Sequence, residues 1–197
     1  MVLLILALAI GLMGTFFIGY TQTESMETMQ RGIAEEVFRF HVRANSDSEE
    51  DQRVKMLVKE QVVAYLQPVL EEAENVERTK ELVRERLPEI EAQAERILAQ
   101  EGCDYGVSAM VGMSDFPEKT YGDCRFPAGN YEALILKLGS GDGHNWWCML
   151  YPGLCFLSES YGVVTADKKA ELKNVLTESE FSWVTDWDKV HIGFKWF

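Results

Sequence analysis

The first twenty residues carry no charge, and this run constrains the fold more than any other feature of the sequence. It reads MVLLILALAIGLMGTFFIGY, and the first charged side chain is Glu24. About 20 apolar residues span a bilayer, so residues 1–20 are predicted to be a signal peptide or a transmembrane anchor. A buried core helix is the alternative. Either membrane interpretation predicts export of the rest of the chain, since nothing after Tyr20 is apolar enough to span again.

The composition is that of one small globular domain with an appendage. The chain of 197 residues is 47% apolar, which excludes global disorder. The net charge of −13 argues against a nucleic-acid binder, because phosphate contacts need clustered lysines and arginines, and it disfavours docking on an anionic membrane surface. Residues 21–36 are polar and predicted to be a linker, helical near its end. Residues 37–197 are predicted to form a single extracytoplasmic α+β domain.

A strand is predicted at the start of this domain. Between Phe38 and Ala44, apolar side chains alternate with Arg39, His41 and Arg43. This period of two is typical of a strand with one buried and one exposed face. His41 is therefore predicted on the exposed side, as a surface residue or as part of a basic patch.

Two long helices are predicted after the strand. Ser46 and Glu49 have the spacing of a capping box and predict where the first helix begins. Apolar residues repeat behind them at intervals of three and four, namely Val54, Leu57, Val58, Val62, Tyr65, Leu66 and Val69. Asn75 is predicted to cap a second helix, which Pro88 should kink or split. Two such helices predict a layer packed on one face of a mostly antiparallel sheet.

Alternation predicts further strands in the second half of the chain. The clearest are Tyr105–Met113 and Tyr131–Leu138. Gly139–Gly143 is predicted to be a tight hairpin turn that pairs Tyr131–Leu138 with a strand at Asn145–Tyr151. The last predicted elements are a helix over Ala166–Leu176 and a terminal strand over Val190–Trp196.

Four cysteines in an exported chain favour disulfide bonds. Cys148 and Cys155 bracket a Pro-Gly pair that can turn the chain, so a bridge is predicted between them. A second bridge is predicted between Cys103 and Cys124, which flank a strand and a loop. Four cysteines allow three pairings, and the sequence alone does not choose among them.

The sequence offers no catalytic constellation, and no metal or cofactor is predicted. The cysteine spacings are not those of zinc sites. On a strand, His144 and Cys148 would lie roughly 13 Å apart, too far for a nucleophile and its base. The loop Gly139–Gly143 lacks both the Lys-Ser/Thr pair and the following helix of a phosphate site.

Adjacent tryptophans are the unusual feature of the predicted strand at Asn145–Tyr151. Trp146 and Trp147 must point to opposite faces of the sheet. Two interpretations stay open: both indoles are structural, or one is exposed and suits a protein partner or a sugar ring.

Three stretches resemble the stage II sporulation protein R family of endospore-forming bacteria. Phe38–Val62 reads FRFHVRANSDSEEDQRVKMLVKEQV, and Arg84–Leu98 reads RERLPEIEAQAERIL. Phe116–Phe156 is the most specific stretch, with F-P-A-G-N-Y-E-A-L, L-G-S-G-D-G-H-N-W-W-C and P-G-L-C-F in order. The resemblance covers about residues 38–156.

This resemblance implies a signalling protein and not an enzyme. Such proteins are exported from the forespore into the septal intermembrane space. There they activate a membrane-embedded aspartic protease, stage II sporulation protein GA, which processes pro-sigma factor E in the mother cell. The resemblance implies that protease as the partner.

Candidate contact residues are inferred because the family does not supply them. They are Arg43, Asn45, Ser46 and Asp47 in one segment, and Asn145, Trp146 and Trp147 in another. Each segment has a structural alternative, since the first can cap a helix and the second can hold a hairpin. The rival functions are a wall- or carbohydrate-binding module that uses an exposed tryptophan, and a hydrolase that would need Asp142, His144 or Cys148.

Overall fold

A computed structural model describes residues 26–156 and 164–186, together with residue 13. The predicted signal or anchor segment, apart from residue 13, and the predicted terminal strand Val190–Trp196 lie outside the described residues. Within the described ranges, no helix is both long and apolar enough to cross a membrane.

Four strands form the main sheet, in the order β2-β5-β1-β6. They are β1 (Phe38–Arg43), β2 (Val107–Phe116), β5 (Gly129–Leu138) and β6 (Asn145–Tyr151). Two short strands, β3 (Lys119–Tyr121) and β4 (Cys124–Phe126), pair separately. The pair β1 and β5 is parallel, whereas the β1–β6 and β2–β5 pairs are antiparallel. The predicted α+β class with a mostly antiparallel sheet is therefore confirmed.

The predicted hairpin between β5 and β6 is wrong, because β1 lies between these two strands. Phe40 pairs with Leu134 of β5 on one side and with Cys148 of β6 on the other. The glycine-rich loop does reverse the chain, but it passes over the end of β1 before β6 begins. Turn residues predict that a chain reverses direction and do not predict which strand it then pairs with.

Three helices cover one face of the sheet, the first face hereafter. They are α2 (Glu49–Leu70), α3 (Val76–Glu85) and α4 (Leu87–Gln100). The split at Pro88 is confirmed, since this residue lies in the first turn of α4, where a missing N–H is harmless. Buried residues recur every four positions along α2 and pack on the sheet, namely Val54, Val58, Val62, Leu66 and Leu70 against Phe40, Val42, Leu134 and Leu136.

The opposite face of the sheet, the second face hereafter, is covered in part by other elements. These are a helix α1 described over residues 26–36, the β3–β4 pair, α5 (Ala166–Val175) and α6 (Glu178–Thr185). The linker predicted over residues 21–36 is thus helical from residue 26, and its Ile33 is fully buried. The core on this face includes Val37, Phe116, Phe126, Tyr131, Ala133, Met149, Leu172 and Val184.

Strand β1 is buried on both faces, which corrects the prediction of an exposed side. Arg39 is 0% and His41 2% exposed, although both are polar. Alternation of apolar and polar residues usually indicates a strand with one solvent-exposed face. Here the polar side chains lie among aromatic rings of the second core, and only Arg43 reaches solvent.

Candidate partner-binding site

The first predicted contact segment lies beside the glycine-rich loop that leads into the second one. We call residues 44–48 the junction and residues 139–144 the crossover loop. Because β1 separates β5 from β6, the crossover loop must pass the end of β1, where the junction begins. The amides of Asp142 and Gly143 donate to the carbonyls of Asn45 and Ala44 at 3.2 and 3.0 Å, and the amide of Ser140 donates to Asn45 Oδ1 at 3.0 Å.

Gly143 allows the close approach of these two segments. A Cβ at this position would lie 2.2 Å from the carbonyl oxygen of Ser46, which is backbone and cannot swing away. Ser140 adds a further bond, since its hydroxyl donates to the carbonyl of Asn45 at 2.7 Å. Asn45 therefore binds the crossover loop through both its backbone carbonyl and its side-chain oxygen.

The carboxylate of Asp51 gathers the polar groups of the junction. It accepts hydrogen bonds from Ser46 Oγ at 2.5 Å, Asn45 Nδ2 at 3.0 Å and Tyr105 Oη at 2.6 Å. Desolvation opposes ionisation here, but these hydrogen bonds outweigh it and hold the pKa of Asp51 below its ordinary value. Asn45 and Ser46 are thus directed inward, towards the start of α2.

The helix begins at a different cap from the one predicted. Ser48 is the N-cap of α2, and its hydroxyl accepts from the amide of Asp51. The capping box predicted from Ser46 and Glu49 is wrong. Ser48 and Asp51 have the same spacing of three residues, and these two residues form the cap. Several cap-forming residues in a row make the sequence ambiguous by two positions.

His144 in the crossover loop forms an exposed pair with Asp47. The Asp47 carboxylate accepts from the amide of His144 at 2.6 Å, and imidazole Nδ1 lies 2.5 Å from the same oxygen. Side-chain and backbone hydrogen bonds from His144 lower the pKa of Asp47. Lys55 Nζ donates to the carbonyl of His144 at 3.1 Å, which ties the loop to α2. Sequence reasoning missed this pair, since its members are 97 positions apart.

The structure contains the predicted disulfide between Cys148 and Cys155, with Cα atoms 5.5 Å apart. The bridge predicted between Cys103 and Cys124 is wrong, because both are free. Cys103 packs on the first core and Cys124 lies in the second, so the sheet separates them. Burial raises the pKa of the Cys124 thiol to about 11. The disulfide also leaves Cys148 without the thiol that a nucleophile would need.

Trp146 and Trp147 point to opposite faces, as predicted, and both are half-buried. Trp146 meets Phe40 edge to face at 5.6 Å on the first face. Trp147 stacks on the His41 ring at 4.9 Å on the second face. Each indole therefore has a packing role in the core.

Arg39 and His41 form a cationic and aromatic cluster on the second face. The guanidinium of Arg39 lies 4.2 Å from the Phe116 ring centre and 4.7 Å from that of Tyr131. Its Nη2 donates to a tyrosine hydroxyl at 3.0 Å, whereas Nε and Nη1 have no hydrogen-bond partner in the described part of the chain. Desolvation, with Arg43 and Arg39 nearby, lowers the pKa of His41 to about 4, so its ring is neutral at pH 7.

Of the remaining predicted contact residues, Arg43 is exposed and Asn145 is half-buried. They are register partners on β1 and β6, and Arg43 is also the register partner of Lys137 on β5. The structure thus separates the predicted residues. Asn45, Ser46 and Asp47 lie in the junction, and Arg43, Asn145 and Trp147 lie at one end of the second face. Trp146 lies apart from both groups, on the first face.

Fold and site together define a small disulfide-linked α+β domain in which the junction and the crossover loop form one hydrogen-bonded unit. In the ranges that the structure describes, no group of three or more histidine, cysteine or acidic residues is arranged to hold a metal ion.

The chain belongs to the stage II sporulation protein R family. The family model of that description matches residues 34–161, which include the whole main sheet, α2 to α4 and the disulfide. The resemblance in the sequence is therefore confirmed. A curated relative, stage II sporulation protein R of Bacillus subtilis (strain 168), is 38% identical over 144 residues.

That match covers 72% of this chain and 64% of the relative, so the chain spans less than two thirds of the relative's length. No solved structure matches the chain. Family membership supports a role in sporulation.

Proposed function

We propose that this protein is the forespore signal that switches on pro-sigma factor E processing. It is exported into the intermembrane space of the septum and binds the membrane-embedded aspartic protease, stage II sporulation protein GA. The bound protease then removes the pro-sequence in the mother cell. The observation that carries the proposal is the family match over residues 34–161.

Two features of the chain support an extracytoplasmic location. Residues 1–20 have the length and composition of an export or anchor segment. The Cys148–Cys155 disulfide is suited to an oxidising compartment, where such bonds persist.

Activation without chemistry of its own requires a difference in affinity. A ligand shifts a protease between inactive and active arrangements only if it binds the active one more tightly. A shift from 1% to 99% active requires about a 10⁴-fold preference. A rigid contact surface supports such a preference, and the bonds among the junction, the crossover loop and α2 supply that rigidity.

Reconstitution in a non-sporulating bacterium tests the proposal. The full chain is co-expressed with its cognate protease and pro-sigma factor E, and cleavage of the pro-form is followed on a gel. We expect cleavage only when all three proteins are present. A version without residues 1–20 is the matched control for export and should give no cleavage.

Absence of cleavage, with all three proteins present and this one folded outside the membrane, would contradict the proposal. Sedimentation of the purified protein with insoluble peptidoglycan would then indicate the wall-binding alternative.

A further inference from the structure

One end of the second face carries two cations directly opposite each other. Arg43 of β1 and Lys137 of β5 are register partners, and both side chains are exposed. Neither has an ion-pair partner in the described ranges. Like charges opposite one another on neighbouring strands destabilise a sheet. Their placement is therefore better explained by binding than by folding.

Apolar side chains lie next to these cations. Met110 of β2 is the register partner of Ile135, which in turn pairs with His41, and His41 pairs with Trp147. Met110 is 55% exposed, while Ile135 and Trp147 are half-buried. We call Arg43, Met110, Ile135, Lys137 and Trp147 the open face.

The strand positions of the second face carry no acid, although the protein is strongly acidic. The chain has 32 acidic and 19 basic residues. Yet no second-face position of the four strands is Asp or Glu, and three are Lys or Arg. The third cation, Arg39, is buried among rings and has no carboxylate partner in the described residues. Its uncompensated charge adds to the positive potential of this face.

We propose that the open face docks an acidic segment of a partner protein, with an apolar side chain of that segment placed against Met110 and Trp147. Carboxylates of the segment would meet Arg43 and Lys137, and charge complementarity would fix its register. The identity of the partner as the septal protease rests on the proposed function. The chemistry of the segment rests on the open face itself.

The strand β2 supplies a matched pair of variants. Met110 and Met113 are both exposed, at 55% and 62%. Their positions differ by three, so their side chains point to opposite faces of the sheet. Met110→Glu places an acid on the open face, whereas Met113→Glu places the same acid on the other side. Both side chains already face solvent, so both variants should fold. The acid of Met113→Glu lies opposite Glu132, where Lys80 and Arg84 compensate the negative charge.

The cations supply a second pair. Lys137→Glu reverses a charge on the open face and leaves an opposite charge beside Arg43, so it should not destabilise the sheet. Lys173→Glu makes the same change at an exposed position on α5, which is not part of the open face.

Binding is measured by titrating the full chain, in detergent, over the immobilised cognate protease. The same variants are scored for cleavage of pro-sigma factor E in co-expressing cells. We expect Met110→Glu and Lys137→Glu to weaken binding by about tenfold or more, and the two control variants by less than about twofold.

Wild-type affinity and cleavage in both open-face variants would overturn this inference while leaving the proposed function intact. Failure of the wild-type chain itself to bind or activate the protease would instead contradict the proposed function and, with it, the assigned partner. Two further results would also overturn the inference. One is equal capture by protease-free micelles containing phosphatidylglycerol, which would indicate a lipid surface. The other is a dimer in sedimentation velocity that Lys137→Glu dissociates, which would indicate a second copy.

Discussion

The two faces of the sheet differ in chemistry and in how completely they are covered. The first face is lined by aliphatic and aromatic side chains beneath α2, α3 and α4. The second face carries Arg39, His41, Arg43 and Lys137 and is covered only in part. Burial of the first face supplies hydrophobic free energy. This free energy is non-directional and does not require a particular packing partner. The second face instead holds three cations, of which Arg39 is buried among aromatic rings and Arg43 and Lys137 are exposed. The comparison suggests that stability resides mainly in the first face and recognition in the second.

The largest expected effect is a cavity beneath the helices of the first face. Leu66 of α2 is fully buried, and Leu66→Ala should lower the free energy of unfolding by about 3 kcal/mol. Leu57→Ala is the control in the same helix, and it should lower this free energy by only about 1 kcal/mol because Leu57 is half-buried. Urea unfolding of the purified variants measures both. Equal losses would mean that the helices are not packed on the sheet as described.

The second expected effect is a pH dependence that originates on the second face. The unfolded chain protonates His41 near pH 6.5, whereas burial and two arginines lower the folded pKa to about 4. Between these values the unfolded state binds more protons, so stability falls as pH falls. The loss should be about 2 kcal/mol between pH 7 and pH 5.

His41→Gln isolates this contribution from that of the carboxylates. The variant lacks the titrating ring, so its unfolding free energy should fall by about 2 kcal/mol less than that of the wild type between pH 7 and pH 5. Urea unfolding at the two pH values gives both slopes. Parallel slopes would show that the ring titrates normally in the folded protein.

The third expected effect lies at the end of β1, where the crossover loop contacts the junction. Gly143→Ala would push a Cβ against the Ser46 carbonyl and should destabilise the fold by about 1.5 kcal/mol. Gly106→Ala is the control, since a Cβ there has no neighbour within 4 Å, and it should change stability by less than about 0.5 kcal/mol. Thermal unfolding compares the two variants. A neutral Gly143→Ala would mean that the crossover loop does not contact the junction.

The same comparison explains what could be predicted from the sequence. The helices of the first face follow from local periodicity, and the split at Pro88 follows from the missing N–H and the fixed ring of proline. The neighbours of β1 do not, because strand order depends on contacts between distant residues. Burial of Arg39 and His41 could not be predicted either, since the rings that surround them come from other strands. The Asp47–His144 pair depends on strand order in the same way.

The smallest expected effect separates stability from recognition on the open face. Lys137→Gln removes the like-charge pair with Arg43 and should raise the free energy of unfolding by about 0.2–0.5 kcal/mol at low salt. The gain should vanish near 1 M salt, where the screening length is about 3 Å. Lys173→Gln, an exposed lysine on α5, should show no such gain.

The same Lys137→Gln substitution should weaken activation of the protease, so one variant would be more stable and less active. Replicate unfolding at both salt concentrations measures the gain in stability, and the cleavage assay measures the loss of activation. A variant that loses stability at low salt, or gains it with full activity, would break the division of roles between the two faces. If the open face binds a partner, Lys137 is kept for binding although it lowers the stability of the sheet. If the open face is only structural, nothing favours a destabilising lysine at this position.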